Sequence, residues 1–320
     1  MQYNKLGKIP GVRRLLGAYR NLKNPDELVG RSDRGRATPA DAVAKFSYLL
    51  DRIEGAEILS EPFEHVEIKN FLRPEHLDVI LNDDQVHFPP VPDVAALLSE
   101  LEKRDYEIKR FPGCTEDINE YLEMLEGAAG SAALKTTEGR GVTFRISKYR
   151  TPLIHQLVTF LNGNEYRDAM MNKFGKSGNT RILTEVQKNL TKYEISPHPD
   201  IRHKAMTYLL NINRDDGISD YGIHTHLLKF KEEKQHIYKF WDDNPELERC
   251  WVPWEWCDSE KTISDNNTLV LFPPNNHTLH AVKLEYPHLE FQRTQLYGNL
   301  WYTDTTRAEP GCPHSKLPLS

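Results

Sequence analysis

Residues 193–210 read YEISPHPDIRHKAMTYLL, and this stretch decides the fold class and directs the search for a site. A strand-like run precedes the tripeptide His-Pro-Asp and an apolar run follows it, which predicts two strands joined by a short connection. Residues two apart in an extended chain point to the same side, so His198 and Asp200 face the same way. They are either two ligands of a metal site or a polar turn between strands.

The rest of the chain sets this stretch within an α+β fold with a mainly β core. From about residue 181 the sequence is a series of strand-like segments bounded by Gly, Pro, Asn or Asp. Before that point helices predominate, with a few strands. This order predicts an antiparallel double-sheet roll with helices packed outside it. The predicted C-terminal strands are RILTEVQKNLTKYEI, KAMTYLLNINR, HTHLLKFK, TLVLFPP, LHAVKLEY and QRTQLYGNLWY.

The N-terminal half contains the predicted helices. TPADAVAKFSYLLDRIEG has Thr38 as its N-cap, Pro39 at its first position and Gly55 past its end. A helix with Thr115 as its cap and Gly127 as its end is predicted in TEDINEYLEMLEG. Further helices are predicted in VRRLLGAYRNL, RPEHLDVILND, VPDVAALLSELEKRD, TPLIHQLVTFLNG and NEYRDAMMNKFG, and strands in EPFEHVEIKNFL and GVTFRISKYR.

We divide the chain into a helical N-terminal extension, residues 1–58, and a main domain, residues 59–320. An insertion at about residues 236–262 interrupts the strands and holds four of the five tryptophans. Its aromatic residues suit an apolar or sugar-stacking lid over a site, a wedge in the core or a homodimer contact.

Composition narrows the function classes. The net charge of −6 and pI near 6.1 do not favour nucleic acid as a partner. No apolar run reaches the roughly 18 residues of a membrane span, and the N-terminus does not read as a secretory signal. Four scattered cysteines, Cys114, Cys250, Cys257 and Cys312, are read as reduced thiols rather than a disulfide scaffold or zinc ligands. We therefore expect a cytoplasmic protein.

The C-terminal strands offer a partner for His198 and Asp200. An iron oxygenase needs two histidines and one carboxylate on one face of Fe(II), with the remaining positions open. In NNTLVLFPPNNHTLHAVKL, His280 begins an apolar strand after a turn. Thirteen residues later Arg293 opens an uncharged aromatic strand, where it would hold a dicarboxylate through paired hydrogen bonds or pair with a neighbouring Asp or Glu.

Together these segments resemble the prolyl-hydroxylase-like group of Fe(II)/2-oxoglutarate-dependent oxygenases. EPFEHVEIKNFLRPEHLDVIL resembles the opening strand and helix of that group, and ISPHPD resembles its first ligand motif. KAMTYLLNIN with YGIHTHLLKF, LVLFPPNNHTLHAV and QRTQLYGNLWY resemble the strands that follow, in the same order. The resemblance covers roughly residues 61–305.

The resemblance implies a double-stranded β-helix (jelly roll) core. It implies an iron held by His198, Asp200 and His280, with 2-oxoglutarate and O₂ as co-substrates and Arg293 on the far carboxylate of 2-oxoglutarate. Many relatives carry an assisting hydroxyl residue two positions after the arginine, where this chain has Gln295. The other candidates for contact with the co-substrate are Gln187, Asn189 and Tyr208.

Several alternatives remain at this point. His277 competes with His280 as the third ligand, whereas His203, His224 and His226 are weaker candidates. The predicted activity is hydroxylation of a C–H bond in a small metabolite such as an amino acid, a sugar or a natural-product intermediate. Hydroxylation of a peptidyl side chain is one alternative, and an inactive jelly-roll or cupin-like binding module is another. Asp200 disfavours halogenation, for which relatives carry a small residue at this position.

Overall fold

A computed structural model describes residues 38–109, 118–126, 139–213 and 220–304. The helix predicted over residues 12–22, the helix ends at Thr115 and Gly127, and the thiols of Cys114 and Cys312 lie outside these ranges.

All but one of the α-helices in the described ranges lie in the first half of the chain or just beyond it. At the first of them, the hydroxyl of Thr38 accepts a hydrogen bond from the Asp41 backbone N–H, and the Asp41 carboxylate accepts one from the Thr38 backbone N–H. The α-helices are α1 Pro39–Phe46, α2 Tyr48–Gly55, α3 Pro74–Leu81, α4 Val94–Lys103, α5 Ile118–Leu125, α6 Pro152–Leu161, α7 Asn164–Lys173 and α8 His236–Asp243. Ser47 alone separates α1 from α2, where the sequence predicts one continuous helix.

Strands dominate from residue 180 onward and are few before it. They are β1 Val66–Ile68, β2 Tyr106–Ile108, β3 Gly139–Arg140, β4 Thr143–Ile146, β5 Thr180–Asn189, β6 Glu194–His198, β7 Lys204–Asn211, β8 Thr225–Phe230, β9 Cys257–Ile263, β10 Leu269–Phe272, β11 His280–Lys283 and β12 Arg293–Tyr302.

Two antiparallel sheets are built from these strands. The larger has the order β1-β10-β7-β12-β5-β4-β2, and the smaller has the order β3-β6-β11-β8-β9. From β5 to β8 successive strands alternate between the two sheets, so β6 and β7, which are joined by the His-Pro-Asp connection, belong to different sheets. The predicted mixed architecture with antiparallel sheets is confirmed.

The main hydrophobic core lies between the helices and the outer face of the larger sheet. Phe46 of α1 and Phe160 of α6 lie in it, with ring centroids 5.9 Å apart, and Leu210 and Leu296 enter it from β7 and β12. Because α1 and α2 contribute buried residues to this core, the part of the N-terminal extension that the structure describes packs on the main domain. None of the helices in the described ranges has the length and apolar character that crossing a membrane requires.

A much smaller apolar cluster lies between the two sheets. It contains Phe63, Leu209, Leu227, Ile263, Val270 and Phe272. Many of the other inward positions of the larger sheet are polar, including Gln187, Asn189 and Gln295, which are all buried. A buried polar interior requires hydrogen-bond partners or a ligand, so the space between the sheets is where a site is expected.

The connection between β8 and β9, residues 231–256, corresponds to most of the predicted insertion. It contains α8 and a 3-10 turn, Trp254–Trp256, and forms a second core on the smaller sheet around Trp241, Cys250 and Val252. Residues 257–262, which the sequence assigns to the insertion, belong instead to β9 at the edge of that sheet. The strand is CDSEKTI, with few apolar side chains and a mostly exposed middle, so its sequence carries little strand signal.

Candidate metal centre

Strand pairing brings the three predicted metal ligands together. His198 is the last residue of β6 and His280 is the first residue of β11, and the antiparallel register places them directly opposite each other. Asp200 follows two residues after His198, in the connection to β7. His280 is about eighty residues from His198 and Asp200 in the sequence, and the pairing of β11 with β6 brings it next to them.

The ligand atoms of this triad form a compact buried cluster. All of them lie within 4.8 Å of one another. Nε2 of His198 is 3.9 Å from Oδ1 of Asp200, and Nε2 of His280 is 3.7 Å from Oδ2. The three residues are 3–8% exposed. His277, the competing third ligand, is exposed and stacks on Tyr238 with ring centroids 4.2 Å apart.

Both imidazoles are oriented for metal binding through Nε2. Nδ1 of His198 is 2.8 Å from the Ser196 carbonyl oxygen, and Nδ1 of His280 is 2.9 Å from that of Thr278. A carbonyl only accepts, so each Nδ1 carries the proton and each Nε2 presents its lone pair. Burial lowers the pKa of His198 to about 3 and lowers that of His280, so both rings are neutral at pH 7.

The Asp200 carboxylate is held in its charged form by two donors from β7. Nζ of Lys204 lies 2.5 Å from Oδ1, and the Thr207 hydroxyl donates to Oδ2. Burial opposes ionisation of Asp200, but the charge of the Lys204 ammonium outweighs it, so the pKa of this carboxyl lies below its usual range. Two neutral imidazoles and one ionised carboxylate are the donor set of a facial iron site, so the residues fit Fe(II).

Arg293 is a buried cation on the larger sheet. It is 2% exposed. Its guanidinium donates to the Ile223 carbonyl oxygen at 2.9 Å, the Asn189 side-chain oxygen at 2.8 Å and the Thr225 hydroxyl at 3.0 Å. Burial lowers the pKa of Arg293 to about 10, so it remains charged at neutral pH. Within the described ranges no carboxylate forms an ion pair with it, and the neighbouring Asp or Glu that would satisfy it without a ligand is not found there.

The three candidates for co-substrate contact occupy different environments. Asn189 lies directly opposite Arg293 in the sheet and hydrogen-bonds to it. Gln187 lies two residues earlier on the same face, with Nε2 3.4 Å from Oε1 of Gln295, the residue at the assisting position. Tyr208 points to the opposite face, where its hydroxyl bonds to Thr184 in the main core. The structure therefore brings Asn189 and Gln187 towards Arg293 and leaves Tyr208 under the helices.

The three weaker candidate histidines, His203, His224 and His226, lie outside the cluster of ligand atoms. His203 lies beside Trp301, with ring centroids 6.3 Å apart. His224 and His226 line a groove on the smaller sheet with Trp254, and Nδ1 of His226 is 2.9 Å from the Ser259 hydroxyl. Neither position adds a ligand to the cluster.

Sequence reasoning missed the residues that surround Asp200. Lys204 and Thr207 lie on the β7 face that meets it, and a threonine within the apolar run KAMTYLLN was the available signal. Arg249, a buried cation of the β8–β9 connection, lies in an irregular segment where no periodicity identifies an inward face.

Comparisons with known proteins add little to this geometry. No protein-family model matches the chain, and no curated protein matches it. Among solved structures, a prolyl-4-hydroxylase from Pseudomonas putida is 10% identical with a TM-score of 0.40, over 80% of this chain and 98% of that chain. A prolyl hydroxylase from Trichoplax adhaerens, solved with a peptide fragment of the hypoxia inducible factor oxygen degradation domain, is 12% identical with a TM-score of 0.40, over 82% of this chain and 91% of that chain. Identities and TM-scores this low do not indicate a function for this chain.

Proposed function

We propose that this protein is a non-haem Fe(II)/2-oxoglutarate-dependent dioxygenase that hydroxylates a C–H bond of a small metabolite. One observation carries the proposal: a buried His-Asp-His cluster and a buried arginine, which has no carboxylate partner among the described residues, both face the interior between the sheets. The cluster suits Fe(II), and the arginine suits the far carboxylate of an oxo-acid bound to it.

The strand order supports a jelly-roll core for this enzyme. Counting from β5 to β12 as eight strands, the first pairs with the eighth, the eighth with the third, and the third with the sixth. In the other sheet the second pairs with the seventh, the seventh with the fourth, and the fourth with the fifth. A double-stranded β-helix has this order, and we assign the core to that fold.

Iron and 2-oxoglutarate, when bound, supply the oxidising chemistry, in which O₂ is consumed, 2-oxoglutarate becomes succinate and CO₂, and a substrate C–H bond becomes C–OH. His198 and His280 hold the metal through Nε2, while their Nδ1–H groups, bonded to backbone carbonyls, keep the rings from rotating. Asp200 completes the donor set, and Lys204 and Thr207 fix the direction of its oxygens.

Arg293 anchors the co-substrate. Asn189 from its own sheet and Thr225 from the facing sheet hold the guanidinium, so its position is set before any ligand arrives. Phe272 packs against His280, with ring centroids 5.0 Å apart, and keeps one side of the metal site apolar. The Val252 backbone N–H donates to the Pro197 carbonyl oxygen at 2.8 Å, which ties the β8–β9 connection to the ligand strand.

The test is anaerobic addition of Fe(II) and 2-oxoglutarate, followed by exposure to O₂. We expect a weak visible charge-transfer band and slow formation of succinate. The variant His198→Ala should lose metal affinity by more than about 100-fold, since loss of a ligand exceeds the effect of losing an outer-sphere partner. His277→Ala, an exposed histidine three residues from His280, is the matched control and should behave as wild type. Absence of the band, or wild-type metal binding by His198→Ala, would refute the proposal.

A further inference from the structure

Arg249 is another buried arginine whose guanidinium has no carboxylate partner among the residues that the structure describes. It is 3% exposed, and its Nε is buried without a hydrogen bond. The guanidinium donates to no residue that the structure describes; only the backbone N–H of Arg249 does, to the Glu248 carboxylate at 3.0 Å. Burial of an unpaired charge is costly, so such a group calls for a ligand.

Arg202, by comparison, is an arginine with a structural role, because its side chain holds the β8–β9 connection in place. The Arg202 side chain donates to the carbonyl oxygens of Leu247 and Trp241 at 2.8 Å each and of Asn244 at 3.4 Å. Those bonds hold the β8–β9 connection against the β6–β7 connection that contains Asp200. Arg249 makes no such bonds and is not needed to hold the connection.

Arg249 lies beside the segment that carries the metal ligands, because its backbone N–H and that of Arg202, two residues after Asp200, both donate to Oε1 of Glu248. Burial and the like charge of Arg202 lower the pKa of Arg249 to about 10, while the Glu248 and Asp200 carboxylates oppose that shift. Arg249 in turn helps to lower the pKa of His280. The Val252 backbone N–H donates to the Pro197 carbonyl oxygen at 2.8 Å, which holds the same segment against the strand that ends at His198, so Arg249 is buried close to the triad.

The nearby carboxylates are committed elsewhere. Asp200 accepts hydrogen bonds from Lys204 and Thr207 and is a metal ligand in the proposed enzyme. Oε1 of Glu248 accepts the backbone N–H groups of Arg202 and Arg249, at 2.8 and 3.0 Å. Neither forms an ion pair with the Arg249 guanidinium in the described part of the chain, so a positive charge is left beside the metal site.

We propose that Arg249 binds the carboxylate of the substrate beside the metal, so that the substrate class of this enzyme is a small carboxylic acid. The role of the bound acid as a substrate rests on the proposed dioxygenase function. The binding of the acid at Arg249 does not require turnover. A planar carboxylate matches the paired N–H donors of a guanidinium, which fixes the orientation of the acid as well as its affinity.

The experiment uses trifluoroacetate as the probe and Mn(II) as a metal that does not turn over. The full chain is loaded with Mn(II) and saturated with 2-oxoglutarate, which occupies Arg293. Relaxation of the ¹⁹F signal by the bound Mn(II) then reports an anion held near the metal. We expect a saturable enhancement that acetate reverses and acetamide does not, because acetamide lacks the charge.

Variants locate the anion. Arg249→Leu should weaken trifluoroacetate binding about tenfold or more. Arg249→Lys should keep part of the affinity, and Lys283→Gln, which removes an exposed cation of β11, should change nothing. Wild-type protein without a saturable enhancement would overturn the inference whether or not the variants fold, as would Arg249→Leu with wild-type affinity. Failure of the dioxygenase proposal is seen separately, as no succinate from the Fe(II) protein in O₂.

Discussion

Replacement of Lys204 by methionine should destabilise the metal-free protein more than the metal-loaded one. The side chains of Lys204 and Asp200 are 10% and 4% exposed, and 2.5 Å separates Nζ from Oδ1. Removing one member of a buried ion pair costs about 3–5 kcal/mol, because the remaining charge is left uncompensated. Thr207 still donates to Asp200, so we expect the lower end of that range without metal.

Metal binding supplies the missing positive charge. A divalent ion on the Asp200 carboxylate neutralises it, and in the wild type that ion is repelled by Lys204. We therefore expect Lys204→Met to bind Mn(II) about tenfold more tightly, which returns about 1.4 kcal/mol of the loss when the metal is saturating. The variant should thus be less stable than wild type in both states, by a smaller margin with metal.

Urea denaturation at pH 8, in EDTA and in saturating Mn(II), measures both margins. Lys188→Met is the matched control, because Lys188 is also buried but bonds to the Val86 carbonyl oxygen and the Thr294 hydroxyl, each at 2.6 Å, rather than to a carboxylate. Its effect should be the same with and without metal. Equal losses for Lys204→Met in EDTA and Mn(II), or weaker Mn(II) binding by this variant, would refute the reasoning.

Three further predictions concern other parts of the molecule. Arg293→Lys should weaken 2-oxoglutarate binding about tenfold, since the paired geometry is lost, with Mn(II) affinity unchanged in titrations of each ligand. Gly298→Ala should cost about 1–3 kcal/mol in urea denaturation, because a Cβ there would overlap the Tyr208 ring, whereas Gly55→Ala meets open space and should be neutral or stabilising. Burial lowers the pKa of His288 to about 4, below its unfolded value, so its contribution is complete above about pH 6.5 and decreases as pH falls towards 4. His288→Gln should accordingly lose about 1–2 kcal/mol less than wild type between pH 7 and pH 5.

The sequence predicted the elements whose signals are local. The cap at Thr38 is recognisable because a hydroxyl residue and Pro39 precede a periodic helix, and the structure places α1 there. Most strands from β5 onward were predicted because turn residues bound apolar runs. The edge strand β9 was missed because its side chains are mostly polar and exposed, and β3 because two residues carry no period.

The site residues were predictable where their spacing in the sequence makes two side chains point the same way. They were less predictable where one has to know which alternate residues of a strand face inward. His198 and Asp200 are two apart at a strand end, and His280 starts a strand, so their convergence followed from a roll of strands. On β7, however, Thr207 faces the site and Tyr208 faces the helices, and a shift of one residue reverses every such assignment. In KAMTYLLN the threonine is the one hint of the inward face, and the partner strands are needed to confirm it.

Neither local sequence patterns nor the alternation of side chains along a strand could have identified Arg249. The segment that carries it has no repeat, so its burial depends on the clamp that Arg202 makes on the β8–β9 connection. If that clamp loosens, Arg249 moves away from the triad, while His198, Asp200 and His280 keep their strand-determined positions. In the proposed enzyme, metal binding would therefore depend on the paired strands and substrate recognition on a connection that can vary in sequence without disturbing the metal ligands. The proposed acid specificity thus depends on one buried arginine in the connection, a residue to which the pattern of metal ligands gives no clue.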